Sequence, residues 1–295
     1  NVTNNTSLSS DNKLQPLVSG GGGIFRRVRV NCAGQILKDI SDYGRLHQMF
    51  HMMKPSEARM NDAIEGFGVS ENESIGFQNA DQASTLDKDE KQTICFTPLS
   101  GILMQDKFLP CRHCPLQFEW EIVNSASEAV QGSRNNGDAK SESFLIDDVQ
   151  IKCDLVTLDS QLENEYSGHL LSGKPLPIHF STFTSSSQVI TSIDTHVNVS
   201  RSLTRLKSVY VSLFKPSSAP SQNEVNYFWH PMSGVDDDRS KELEFQMQMG
   251  AQLFPEMGTR SIAESFSQLK MRHLPYIQAM LKCLWCNVTT EAINL

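Results

Sequence analysis

The sequence lacks the patterns that mark several large classes of protein. It contains no run of about 18 apolar residues, so it predicts no transmembrane helix. It has no GxSxG motif, and the glycine run at 20–23 precedes an alternating apolar segment rather than the Lys-Ser/Thr and helix of a phosphate-binding loop. With a net charge of −8, it also lacks the clustered Lys and Arg that direct nucleic-acid binding needs. We therefore predict a protein that is not an enzyme and has no cofactor.

Cysteines are few and irregularly spaced. They lie at positions 32, 95, 111, 114, 153, 283 and 286. Two CxxC pairs, Cys111 with Cys114 and Cys283 with Cys286, are the only metal-like signal, but zinc ribbons separate such pairs by roughly 15–20 residues and here they lie far apart. We therefore predict no metal site, with Cys111, Cys114 and His113 as weak candidates. The cysteines are expected to be reduced, buried thiols of an intracellular protein, with 32, 95 and 153 inside strands.

Apolar and polar residues alternate in many segments, which is typical of strands with one buried face. The predicted strands are 25–32, 35–40, 94–104, 115–123, 144–158, 178–184, 197–215 and 243–254. Ala33-Gly34 is predicted to form the turn of a hairpin, and Gly250 a second turn or a bulge. The phase of the alternation shifts near Arg205, which indicates another bulge. Together these segments predict an all-β chain built from β-sandwiches.

Helical periodicity is confined to short segments. Apolar residues recur three and four positions apart from Tyr43 to Met53, which predicts an amphipathic helix, and a second helix is predicted to begin at Pro55. Asp159 is a suitable N-cap for a short helix over 159–171. His47 and His51 lie four residues apart, but no third ligand accompanies them, so we interpret them as solvated or interface residues.

Polar segments divide the chain. Residues 69–91 are rich in Asp, Glu and Asn and are predicted to be a surface loop. Residues 124–143 resemble a linker, and we place a domain boundary there, at about residue 140. The tail after 271 shows no matching periodicity.

The order of these segments resembles that of one known family. TPLSGILMQDKFLPCRHCPLQFEWEIV at 97–123 resembles a strand-turn-strand of the first jelly roll in double jelly-roll major capsid proteins of eukaryotic DNA viruses. VRVNCAGQILKDI at 28–40 resembles the earlier hairpin of that family, and DVQIKCDLVTLDSQLENEYSGHLL at 148–171 resembles the opening of its second jelly roll. LEFQMQMGAQLF at 243–254 resembles a later strand. Phrases such as RRVRV, NDAIEGFG and LTRLKSV are similar to those of polinton-like viruses and virophages.

The resemblance implies a structural function. It implies a double jelly roll, with the first jelly roll over 1–140 and the second over 141–295, each lacking strands at its outer end. Three chains would form a pseudo-hexagonal capsomer, and capsomers would tile an icosahedral virion shell assembled inside the infected host cell, in cytoplasm or nucleus. The expected partners are itself, neighbouring capsomers and minor capsid proteins, without nucleic-acid binding or a membrane span. Met49, Phe50 and Met53, on a Met-rich helix face, are the candidate subunit contacts.

Two alternatives remain open at this point. A non-catalytic β-sandwich binding module for carbohydrate or protein would have the same strand pattern. A degraded endogenous viral copy without assembly function would retain the family motifs while lacking strands at its ends.

Overall fold

The protein is described by a computed structural model that covers residues 1–5, 14–16, 20–53, 86–105, 107–124, 129–132, 143–192, 194–200, 203, 205–213, 244–260, 263–264 and 289–294. The chain divides into two compact units, Asn1–Val209 with Asn287–Leu295, and Tyr210–Cys286. The predicted boundary near residue 140 lies within the sequence range of the first unit, and the strand Val2–Asn4 pairs with strands on both sides of it, Lys91–Gln92 and Phe144–Ile146.

Strands dominate the regular structure of the described residues, and each of their pairings is antiparallel. They are β1 (Val2–Asn4), β2 (Leu14–Pro16), β3 (Phe25–Cys32), β4 (Gln35–Ile40), β5 (Lys91–Gln92), β6 (Leu116–Ile122), β7 (Val130–Gly132), β8 (Phe144–Ile146), β9 (Pro177–Thr182), β10 (Phe245–Met249), β11 (Gln252–Thr259) and β12 (Thr289–Asn294). The first unit contains sheets of order β5-β1-β8, β4-β3-β6, β2-β7 and β9-β12, and the second contains the hairpin β10-β11. The predicted all-β class is confirmed.

The hairpin of β3 and β4 has the predicted bounds. Its turn residues Ala33 and Gly34 have φ angles of 47° and 82°, the positive values that a two-residue turn between twisted strands requires. Val28 and Val30 are buried on one face of β3, as the alternation predicts. β6 pairs with the other edge of β3 and places Trp120 opposite Val28. The predicted strand around Trp120 is therefore also confirmed.

The helix α1 (Tyr43–Met53) packs against the start of β3 through a glycine run. Residues Gly20–Ile24 form a 3₁₀-helix, and a Cβ atom on Gly22 would lie 2.5 Å from ring atoms of His47. The glycines therefore allow a close approach between two segments, and they lead into the strand β3. Tyr43, fully buried, packs edge-on against Trp120 with ring centroids 5.8 Å apart.

Two apolar clusters lie in the described part of the first unit. The cluster beside β1 consists of Val2, Leu14, Ile24, Leu86 and Ala129, and the other consists of Val30, Ile102 and Phe180. Partly buried side chains of β6 and of the segment before it pack against the second cluster. The second cluster thus joins the β4-β3-β6 sheet to β9.

Two further predicted elements are confirmed, and part of the predicted C-terminal tail is corrected. The helix α2 (Ser160–Leu171) begins after Asp159, whose side chain accepts a hydrogen bond from the backbone N–H of Ser160. β10 and β11 form a hairpin with Gly250 in its turn at φ 61°. The tail after 271 shows no matching periodicity in the sequence, so no strand was predicted there, but β12 pairs with β9 over six residues.

Three predicted strands are wrong over much of their length. Residues 94–104 contain no strand, because the backbone turns at Ser100, whose carbonyl accepts hydrogen bonds from Leu103 and Met104. The strand predicted over 144–158 is limited to β8, and the described part of 197–215 contains no strand. Alternation alone does not produce a strand, since a strand also needs a hydrogen-bonding partner at its edge. The predicted helix from Pro55 and most of the loop over 69–91 lie outside the described residues.

Candidate functional site

The side chain of a buried lysine lies on the apolar face of the β4-β3-β6 sheet. Lys38 lies on β4 opposite Val30, and it is only 2% exposed. Its ammonium group donates a hydrogen bond to the carbonyl oxygen of Leu99, in the loop that covers the sheet. No carboxylate pairs with Lys38 among the contacts of the described residues, so burial lowers the pKa of Lys38 to about 7.

Tyr43 binds the same loop residue from the other side. The phenol oxygen of Tyr43 accepts a hydrogen bond of 2.8 Å from the backbone N–H of Leu99. Burial raises the pKa of Tyr43, and the hydrogen bond from Leu99 partly opposes this effect. Lys38 and Tyr43 therefore form hydrogen bonds with both backbone polar groups of Leu99, its C=O and its N–H. Because both side chains are buried, we interpret the arrangement as one that fixes the loop against the sheet.

Lys38 was not among the predicted site residues, although the sequence contains a signal for it. Lys38 lies two residues before Ile40, in phase with that buried apolar position of β4. A lysine in that phase is placed on the buried face of a strand. Tyr43 was assigned to the helix face, but its bond to Leu99 depends on a loop distant in sequence.

The opposite face of the same sheet has a ladder of charges. Arg27 forms two hydrogen bonds to Asp39, of 2.7 and 2.6 Å, and this pair raises the pKa of Arg27. Arg29 donates to Glu119 at 2.9 Å and lies 3.7 Å from Asp39. Asn31 also donates to Glu119, at 2.9 Å. Positive and negative groups alternate across the three strands, so this face has little net charge.

The predicted redox state of the cysteines is wrong for one pair. Cys32, at the end of β3, forms a disulfide with Cys114, and the Cα atoms are 5.9 Å apart. Both cysteines are buried. Cys95 and Cys153, which were predicted to lie buried within strands, are free, exposed and outside strands.

The weak metal candidates are not brought together as ligands. Cys114 is in the disulfide, while Cys111 and His113 are exposed. The ring of His113 stacks on that of Tyr166 in α2, with centroids 5.7 Å apart, and Arg112 pairs with Glu163 of the same helix. Among the residues that the structure describes, no group of three or more His, Cys, Asp or Glu side chains is placed to hold a metal ion.

The three candidate subunit contacts have different positions. Phe50 is 7% exposed and packs against Phe183 of the same chain, with ring centroids 5.1 Å apart. Phe50 is therefore used within the fold. Met49 is partly exposed on α1 and remains a contact candidate. The side chain of Met53 lies outside the described part of the structure.

Two segments of the first unit whose described residues are in neither a helix nor a strand expose many apolar side chains. In 149–158 the exposed fractions are 71% for Val149 and 82% for Leu155, and in 189–209 the fraction is 82% for Val189. Further exposed members are Ile151, Val156, Leu158, Ile190, Val197, Val199, Leu206 and Val209. Apolar exposure on this scale is typical of a surface that another chain covers.

In the described part of the chain, no helix has the length and apolar character needed to cross a lipid bilayer. Comparison of the chain with protein-family models, with curated proteins and with solved structures found no match.

Proposed function

We propose that this chain is a major capsid protein, with a structural and non-catalytic function. Each copy would contribute two jelly rolls, and three copies would form a pseudo-hexagonal capsomer in the icosahedral shell of a DNA virus. The order of the sequence phrases from 28–40 to 243–254 supports this proposal, and so does the antiparallel all-β architecture. Double jelly rolls consist of long antiparallel strands whose inner faces pack together.

The observation that carries the proposal is the exposure of apolar residues in the described parts of 149–158 and 189–209. Stable interfaces bury on the order of 1,600 Å² in total, and permanent assemblies bury more and are more apolar. A second copy that covers these segments would remove Leu155 and Val189 from water. Burying each such side chain contributes about 1.5–3 kcal/mol.

The proposed location and partners follow from this assembly. The chain would reside in the virion capsid, assembled inside the host cell, and would contact neighbouring capsomers and minor capsid proteins. Direct nucleic-acid binding is not expected, because Arg27 and Arg29 are paired with carboxylates and the whole chain is acidic.

Light scattering on the purified chain, with negative-stain imaging of the same sample, tests the proposal. A discrete trimer with pseudo-hexagonal outlines is the expected result. A well-folded monomer at all concentrations would refute capsomer formation and favour the β-sandwich binding module. Heterogeneous aggregate would indicate a degraded copy with exposed strand edges.

A pair of matched variants locates the interface. Leu155 and Leu171 are 82% and 88% exposed, but only Leu155 lies in one of the two exposed apolar segments, whereas Leu171 ends α2. Leu155→Ser is expected to weaken the trimer by about 1.5–3 kcal/mol per chain, since it removes an apolar side chain that the proposed interface would bury. Leu171→Ser is the control and should leave the trimer unchanged. Equal dissociation of both variants, measured by sedimentation over a dilution series, would place the interface elsewhere.

A further inference from the structure

The turn that contains Cys111 and Cys114 combines an exposed thiol with one half of a buried disulfide. Cys114 is 1% exposed and is bonded to Cys32, whereas Cys111 is free and exposed. The backbone N–H groups of His113 and Cys114 both donate to the carbonyl of Pro110 at 2.9 Å. Residues three apart in such a helical turn have neighbouring Cβ atoms. Cys111 is therefore adjacent to a disulfide that solvent does not reach.

Burial protects the Cys32–Cys114 bond from direct attack. Thiol–disulfide exchange requires a thiolate to reach one of the two sulfur atoms, so access limits its rate. We propose that Cys111 is the exchange site through which thiols in solution act on the Cys32–Cys114 disulfide. Cys111 is exposed to solution, and it lies in the same turn as Cys114.

The exchange is balanced within the chain. The thiolate of Cys111 attacks Sγ of Cys114, and a Cys111–Cys114 bond forms as the Cys32–Cys114 bond breaks. Cys32 leaves as a thiolate and takes up the proton that Cys111 lost. Two molecules of glutathione then reduce the new disulfide, which includes the exposed Cys111, and yield two protein thiols and one glutathione disulfide.

The exchange changes which elements the turn connects. Before exchange, the disulfide closes a loop with a sequence separation of 82 and joins the turn to the end of β3. After exchange, the link is local, while Arg112 and His113 still contact Glu163 and Tyr166 of α2. After exchange, the turn thus keeps its contacts with α2 but is no longer covalently bonded to β3. The covalent link between this turn and the β4-β3-β6 sheet therefore depends on the redox state of the cysteines.

The first test follows the appearance of the Cys32 thiol. The oxidised full chain is exposed to reduced glutathione, quenched with an alkylating reagent at intervals, and analysed by mass spectrometry. Cys111→Ser is expected to slow the release of Cys32 by about tenfold or more, because direct attack is blocked by burial. Cys153→Ser, which removes another exposed free cysteine, is the control and should behave like the unaltered chain. Equal rates for Cys111→Ser and the unaltered chain would overturn the proposal.

A second test needs no variant and no added thiol. The unaltered chain is incubated at mildly alkaline pH, quenched with acid and digested with trypsin, which cleaves after Arg112. A Cys111–Cys114 disulfide would hold the two flanking fragments together, and its appearance with a free Cys32 is the expected result. If only the Cys32–Cys114 linkage is recovered after prolonged incubation, Cys111 does not exchange with it.

Discussion

Replacing Lys38 by Met removes a buried ammonium group and keeps an unbranched side chain of similar length. The pKa of Lys38 is about 7 in the folded protein and 10.5 in the unfolded chain. Between these pH values the unfolded chain binds more protons, so the stability of the unaltered protein rises with pH across this window. Below pH 7 the full cost of burying the charge is present, and it disappears as the pH approaches 10.5. Lys38→Met should abolish this dependence.

The magnitude follows from the two pKa values. One pKa unit corresponds to about 1.4 kcal/mol, so the lysine lowers the free energy of unfolding by about 4 kcal/mol at pH 7 and by about 2 kcal/mol at pH 9. The variant also leaves the carbonyl of Leu99 without its donor, which costs about 1 kcal/mol at either pH. The stability advantage of Lys38→Met should therefore fall by about 2 kcal/mol between pH 7 and pH 9.

Urea unfolding at the two pH values measures this change directly. The exposed Lys174 provides the control, since Lys174→Met removes a lysine without altering a buried charge. Other titrating groups cancel in the difference between the variant and the unaltered chain. A difference that stays constant to within about 0.5 kcal/mol from pH 7 to pH 9 would show that Lys38 is not buried as described.

Two further predictions concern the packing of the first unit. Cys32→Ser removes the disulfide to Cys114, whose loop of 82 residues corresponds to about 4.5 kcal/mol of chain entropy, so the urea midpoint should fall sharply under non-reducing conditions and little under reducing ones. An unchanged midpoint without reductant would mean that the two cysteines are not bonded. Gly101→Ala should cost more than about 2 kcal/mol, because the new Cβ would overlap the carbonyl of Ser181 in β9. Its control is Gly168→Ala in α2, where the space is open and about 1 kcal/mol of stabilisation is expected, and similar thermal midpoints for both alanine variants would contradict this account.

Elements fixed by local chemistry were predictable from the sequence. The hairpin of β3 and β4 combines period-two alternation with a turn that places Gly34 at positive φ, and both signals lie within a few residues. The same holds for α2, whose start is set by the Asp159 cap. The hairpin around Gly250 was visible in part, because the alternation through Met249 ends at a glycine where a turn or a bulge is predicted.

Features that depend on distant residues could not be predicted in this way. The segment 149–158 alternates as well as β3 does, but whether it forms a strand is decided by a partner, and none pairs with it among the described residues. The disulfide joins Cys32 to a cysteine 82 positions away, and sequence spacing gave no sign of it. The bonds of Lys38 and Tyr43 to Leu99 likewise exist only once the loop folds over the sheet. Candidate-site prediction failed at these places because their contacts are non-local.

The charge ladder on the outer face of the sheet also acts as a check on strand alignment during folding. Arg29 lies opposite Asp39 on one neighbouring strand and opposite Glu119 on the other. A slip of two residues keeps every side chain on its proper face, so hydrophobic burial alone discriminates poorly against it. Such a slip of β4 would separate Arg29 from Asp39, and a slip of β6 in one direction would place the uncharged Gln117 opposite Arg29 in place of Glu119. The paired charges thus penalise these misalignments, which the apolar core would tolerate.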